Sequence, residues 1–295
     1  MDSQSPPVKS ASPLGVLCGV GAAVFWAVGF VAARQGVDVG LSPLVIALHR
    51  FLWPGLALLP FAARNGFGDF RRLGWQRAII LTVFGGLPLA ILSYAGFLLV
   101  PLGHGGVIQP ACASLGGLLL SWLVLREPLP ARRIAGALAI VLGLCIIGAE
   151  ALRTMGVHGI AGDLMFAAAG CSFATFGMLL RLWRIEPMPA VAITSVLSLV
   201  GLPVMLVGLG NTVHAGIFET VLQIIVQGVF AGAGAIYLFA RAVVLLGASR
   251  AAMFPSLVPP ITLLVGFLAL GVLPSLSQLA GLVVVVIGFR LTQRG

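Results

Sequence analysis

GHGGVIQP at Gly103 to Pro110 runs on as an apolar segment to Leu125, turns at REPLP (Arg126 to Pro130), and re-enters as RRIAGALAIVLG (Arg132 to Gly143). The same arrangement occurs a second time. GASRAAMFP (Gly247 to Pro255) leads into an apolar segment ending at Leu270, a turn at GVLPS (Gly271 to Ser275), and SQLAGLVVVVIG (Ser277 to Gly288). Pro110 matches Pro255, Ala135 and Gly136 match Ala280 and Gly281, and Gly143 matches Gly288, all at an offset of 145. Repeat arrays have units of about 20–50 residues. A period three times that long points to a duplicated half-protein.

Working outward, the 295-residue chain is 60% hydrophobic and 8% charged, with a mean hydropathy of +1.13. Soluble domains carry about 25% charged residues, so this surface is suited to lipid. A helix of about 20 apolar residues spans a bilayer, and ten such segments can be drawn. They are Leu14–Ala33, Leu44–Ala62, Ala78–Val100, Gly106–Leu125, Ile134–Ala149, Gly162–Leu180, Ala190–Leu209, Val221–Ala240, Ala251–Leu270 and Leu276–Leu291. Residues 1–13 are polar and rich in Pro and Ser, and read as a disordered cytoplasmic tail.

The net charge of +9 does not indicate a nucleic-acid partner, because the basic residues punctuate apolar segments and do not cluster on one face. Fourteen of the 17 lie on the N-terminal side of the spans, among them Arg71, Arg72, Arg77, Arg132 and Arg133, while Arg34 and Arg153 lie opposite. The positive-inside rule then makes both termini cytoplasmic. Span 1 also aligns with span 6 at an offset of 147 (Trp26 with Phe173, Arg34 with Arg181), and span 3 with span 8 at 143 (Tyr94 with Tyr237). Five spans per half is an odd number, so the halves, 14–149 and 159–291, insert upside down relative to each other. The expected fold class is an all-α membrane protein of ten transmembrane helices in two inverted five-helix repeats. Such repeats place a binding site near the midplane and work by alternating access.

The run from Pro110 to Gly143, its echo from Pro255 to Gly288, and the small-residue and aromatic first span GAAVFWAVGFVAAR (Gly21 to Arg34) resemble the EamA-type branch of the drug/metabolite transporter superfamily. Within it the chain looks most like the YddG-type exporters. That resemblance implies a secondary exporter of aromatic and other amino acids in a bacterial inner membrane. A drug or other metabolite exporter of the same fold is the alternative. The family's Glu after span 4 is present as Glu127, but its second-half equivalent is Val272, which implies gating contacts on one side only.

The candidate site residues follow from position. Trp26 and Phe173 are large rings among small residues, and either fill interhelical gaps or line a cavity. Tyr94 and Tyr237, the only two tyrosines, either meet substrate or anchor at the membrane interface. Gln109 and Ser256 offer neutral polar groups beside Pro110 and Pro255, candidate hinges, and Phe254 precedes the second. His49 and Arg50 are intramembrane ionisable residues, and either couple transport or serve structure. No Asp or Glu falls mid-span as the spans are drawn, which argues against a carboxylate proton relay.

Cys18, Cys112, Cys145 and Cys171 lie in separate apolar segments without metal-ligand spacing, so no metal or cofactor is expected. No DDxxD, HExxH or GxSxG pattern supports an intramembrane lipid-modifying enzyme. A passive channel is the remaining alternative. The expected partners are a small-molecule substrate and the bilayer; a monomer is compatible with all of this.

Overall fold

A computed structural model describes residues 12–64, 66–126, 130–203, 216–246 and 254–293, and every regular element among them is helical. In chain order these are α1 (Pro13–Asp38), α2 (Pro43–Arg64), α3 (Gly68–Leu73), α4 (Trp75–Gly85), α5 (Leu87–Gly96), α6 (Leu102–Leu125), α7 (Ala131–Leu182) and α8 (Pro187–Leu197). After a 3-10 turn come α9 (Gly216–Gln223), a π-helix (Ile224–Gly234), α10 (Ala235–Leu246), α11 (Val258–Leu270) and α12 (Leu276–Gln293). Among the described residues six helices are long and apolar enough to cross a membrane: Pro13–Asp38, Pro43–Arg64, Trp75–Leu98, Leu102–Val124, Ala131–Leu182 and Gly216–Leu246. Met188–Gly201, Phe254–Leu270 and Leu276–Leu291 are shorter apolar helices.

Where the sequence suggests a loop between spans 5 and 6, helical structure instead continues to a sharp reversal at Gly156, whose φ of 63° is open to glycine without strain. A Cβ at Gly159 would stand 2.8 Å from the carbonyl oxygen of Ala151. Eight residues of straight helix cover about 12 Å. The two arms of α7, 131–155 and 157–182, therefore lie side by side as a hairpin.

Small residues are fully buried where helices approach closely, and many large aliphatic side chains face outward, although Phe51, Phe97 and Phe166 are buried in the core. Ala22, Ala23, Ala27 and Ala33 are fully buried, whereas Leu138, Leu164, Leu268 and Val283 are each more than half exposed. Lipid tails are as apolar as leucine, so burying leucine gains little in a membrane, and close backbone approach through small residues holds helices together instead. Gly15 and Gly19 of α1 meet Leu246 and Phe254, and Gly228 and Gly232 of the π-helix meet the backbone of His49 and Arg50 in α2. The arm 131–155 crosses α12 glycine on glycine. A Cβ at Gly143 would lie 2.8 Å from the Gly281 carbonyl oxygen, and one at Gly288 would lie 2.7 Å from that of Gly136.

Two irregular segments shape the centre. The helix beginning at Trp75 breaks between Gly85 and Gly86, where Gly86 is extended (φ −107°, ψ −144°). The freed backbone groups find side chains: the Leu87 amide donates to Ser198 Oγ (3.3 Å), and Ser172 Oγ donates to the Phe84 carbonyl (3.1 Å). Irregular backbone at membrane depth is tolerated only with such satisfaction. The second is the π-helix, a feature often found at functional sites.

Candidate functional site

A small cavity of about 60 Å³ lies where α1, α2, α5, α6, the second arm of α7 and the start of α11 converge. Ligand cavities commonly enclose about 300–1,000 Å³, so binding a solute the size of an amino acid requires the helices around this cavity to move apart. Its apolar wall includes Trp26, Phe30, Leu89, Ala90, Pro110, Phe173 and Pro255. Trp26 and Phe173, equivalent positions in the two halves, meet edge to face at 5.7 Å between ring centroids. Its polar wall is Arg50, Ser93, Tyr94 and Gln109.

These polar groups are held in place. Arg50 Nη1 donates to Tyr94 Oη (2.8 Å), Tyr94 Oη donates to Gln227 Oε1 (2.6 Å), and Gln227 Nε2 donates to the Gly29 carbonyl (2.8 Å). Gln227 is fully buried on the π-helix, so the chain of bonds ties α2, α5 and α1 to one point. Ser93 Oγ donates to Gln109 Oε1. Gln109 thereby keeps its two N–H donors available to a ligand.

The other candidate residues are placed elsewhere. Tyr237 is 41% exposed and off the cavity wall. The Phe254 ring packs over Gly19 beside Cys18 and Ala242, and Ser256 is half-buried next to Pro255; neither lines the cavity. His49 is fully buried behind Arg50, where its Nδ1 accepts from Trp53 Nε1 at 2.8 Å. Glu127 lies outside the described residues.

No Asp or Glu is expected mid-span, and the buried acids of the structure stand near span ends. Asp163, on the second arm of α7, contacts fully buried His104 of α6 at 2.8 Å between Oδ1 and Nδ1. The other atoms of the pair, Asp163 Oδ2 and His104 Nε2, have no hydrogen-bond partner among the described residues. Glu219 is buried too, accepting from Gln223 Nε2 at 2.7 Å, while Gln223 Nε2 also reaches the Ala32 carbonyl. Both acids stand at the margin of an apolar run, so a span drawn from hydropathy alone leaves them at or beyond its end. At that same end of the molecule Arg34 pairs with Asp38 (2.6 Å) and Nη1 donates to the carbonyls of Phe97 (2.9 Å) and Val100 (3.1 Å). Ser275 Oγ donates to Glu150 there as well (2.8 Å).

An apolar helical bundle around a cavity with both aromatic and polar lining is an arrangement suited to transport, and sequence comparison agrees. The EamA-like transporter family matches residues 13–149 and 160–293, nearly the entire chain. The chain belongs to this family. An uncharacterized transporter of Archaeoglobus fulgidus is 26% identical over 284 residues, 92% of this chain and 95% of the relative. One solved crystal structure superposes with a TM-score of 0.60 over 94% of this chain and 95% of its own, at 17% identity, a likeness of fold alone. As an EamA-like protein the chain is a membrane transporter of small solutes.

For a transporter the two tyrosines are expected to behave differently. Tyr94→Phe removes the hydroxyl that orients Arg50, and should lower the initial rate of transport about tenfold, the size of a lost hydrogen bond to a charged group. Tyr237→Phe should leave the rate at the wild-type value. Flux in proteoliposomes containing each variant checks this; equal effects would count against the cavity as the transport site.

Proposed function

We propose that this chain is a secondary transporter that exports small organic solutes, aromatic and other amino acids foremost, by alternating access. The observation that carries the reading is the central cavity, lined by both aromatic rings (Trp26, Phe30, Phe173) and polar groups (Arg50, Ser93, Gln109). Aromatic rings give contact area to an apolar side chain, and the polar groups orient a charged main-chain-like end.

The ten-span inverted repeat belongs to this proposal, and the glycine crossing supports it. Gly136 and Gly143 correspond to Gly281 and Gly288 at the offset of 145. Gly143 meets Gly281 while Gly136 meets Gly288, so each position touches the equivalent of the other. Such reciprocity is what a two-fold relation between the halves would produce. With α1 starting from the cytoplasm of a bacterial inner membrane, the Arg34 and Glu150 contacts lie on the outer side. The guanidinium of Arg77, 5.6 Å from the Trp183 ring centroid, lies on the inner side. Opening outward requires the Arg34 bonds to Phe97 and Val100 to break, with Pro110 and Pro255 as hinges beside the cavity.

Counterflow in proteoliposomes with a panel of aromatic and aliphatic amino acids tests the reading. Saturable, protein-dependent exchange is expected, and Trp26→Ala should reduce it at least about tenfold. Non-saturable flux would mark a channel. If no panel member moves, the assignment to amino acids fails.

A further inference from the structure

Arg50 is the one charged side chain on the cavity wall among the described residues, and it forms no ion pair there. Among the described residues its hydrogen-bond partner is a neutral phenol, Tyr94, and its Nε is buried without one. An arginine seven residues into α2, about 10 Å from the helix start, has room to reach for the membrane surface. It does not do so. Gly232 of the π-helix packs on its backbone, and the Tyr94–Gln227–Gly29 chain fixes its head at the cavity.

We infer that Arg50 is the binding group for the carboxylate of the cargo, and that the transported class is the monocarboxylate with an apolar or aromatic body. The inference rests on the exporter reading and narrows it. An uncompensated guanidinium within a membrane is costly, and a carboxylate is the planar partner that takes two of its N–H donors at once. No Asp or Glu among the described residues lines the cavity, and Gln109 presents N–H donors while its Oε1 accepts from Ser93, so an α-ammonium finds no charged partner and is not required. Aromatic carboxylates without an amino group therefore bind as well as the corresponding amino acids. Lipophilic cations, the usual cargo of a multidrug exporter, are repelled by the fixed positive charge.

The test compares three probes of one ring size on the purified full-length protein: phenylalanine, phenylacetate and phenylethylamine. In proteoliposomes of phosphatidylcholine alone, phenylalanine and phenylacetate are expected to exchange saturably and to compete. Phenylethylamine should neither exchange nor inhibit. Arg50→Gln is expected to weaken phenylacetate binding about tenfold or more, read as lost thermal stabilisation, and Arg50→Lys to keep part of it. If Arg50→Gln does not fold, the acid-over-amine selectivity of the wild type decides alone. Amine exchange equal to that of the acids overturns the inference and leaves the transporter reading standing. Absence of flux for all three fails the amino-acid exporter reading, and the thermal shift with phenylacetate then decides the inference, which falls if there is none. A shift that appears only with phosphatidylglycerol present assigns Arg50 to a lipid phosphate and also overturns it.

Discussion

Asp163→Leu is expected to lower the melting temperature of the detergent-purified protein by roughly 10 °C, the equivalent of about 3–5 kcal/mol for removing one member of a buried pair. His104→Leu should act in the same direction. His104 is fully buried and Asp163 nearly so, and each already has one polar atom without a partner, so a second loss leaves a polar group in an apolar interior with none. The pair also has a structural task. His104 and Gly105 open α6, and Gly105 packs against Phe166 one turn beyond Asp163, while Asp163 Oδ2 points to within 4.0 Å of where a Cβ at Gly148 would be. The contact thus fastens the start of α6 to both arms of the α7 hairpin. Replacing both residues with leucine removes the desolvated groups together and should recover most of the loss. Additive losses in the double variant would show that the two residues act independently and that this account of the contact is wrong.

Sequence pattern carries the family, the duplication and the apolar helices, because those rest on composition and on glycine spacing that survives in both halves. It also singles out Trp26 and Phe173, since a large ring amid Gly and Ala has few other places to go. What it does not carry is rotation about the helix axis. Tyr94 and Tyr237 occupy equivalent positions in sequence, yet the helix before Tyr94 is broken at Gly86, while the one before Tyr237 passes through eleven π-helical residues with wider turns. The two side chains therefore leave their helices in different directions. Ser93, Phe30 and Gln227 carry no signal that separates them from packing residues, and enter the site only through the fold. The Gly156 reversal is hidden for a related reason: helix-forming residues continue on both sides, and one glycine with positive φ replaces the expected loop.

Gly143→Ala and Gly281→Ala should both destabilise by about 1–3 kcal/mol, the range for overpacking, and by similar amounts. At Gly143 the added carbon would stand 2.8 Å from the Gly281 carbonyl oxygen, and at Gly281 it would stand 2.9 Å from the Gly143 carbonyl oxygen. Both obstacles are backbone, which cannot rotate aside as a side chain can, so the arm 131–155 and α12 must separate. Gly117 in α6 is the control, with nothing within 4 Å of its Cβ position. There alanine should be neutral or stabilise by about 0.5–1 kcal/mol through its lower chain entropy. Melting temperatures of the three variants check the packing account, and a loss at Gly117 matching the others would sink it. Flux then separates packing from movement. If the two halves rock about this crossing, the Gly143 and Gly281 variants that remain folded should exchange substrate more slowly at unchanged binding affinity. A crossing that is only a static seam would leave the rate per folded molecule intact.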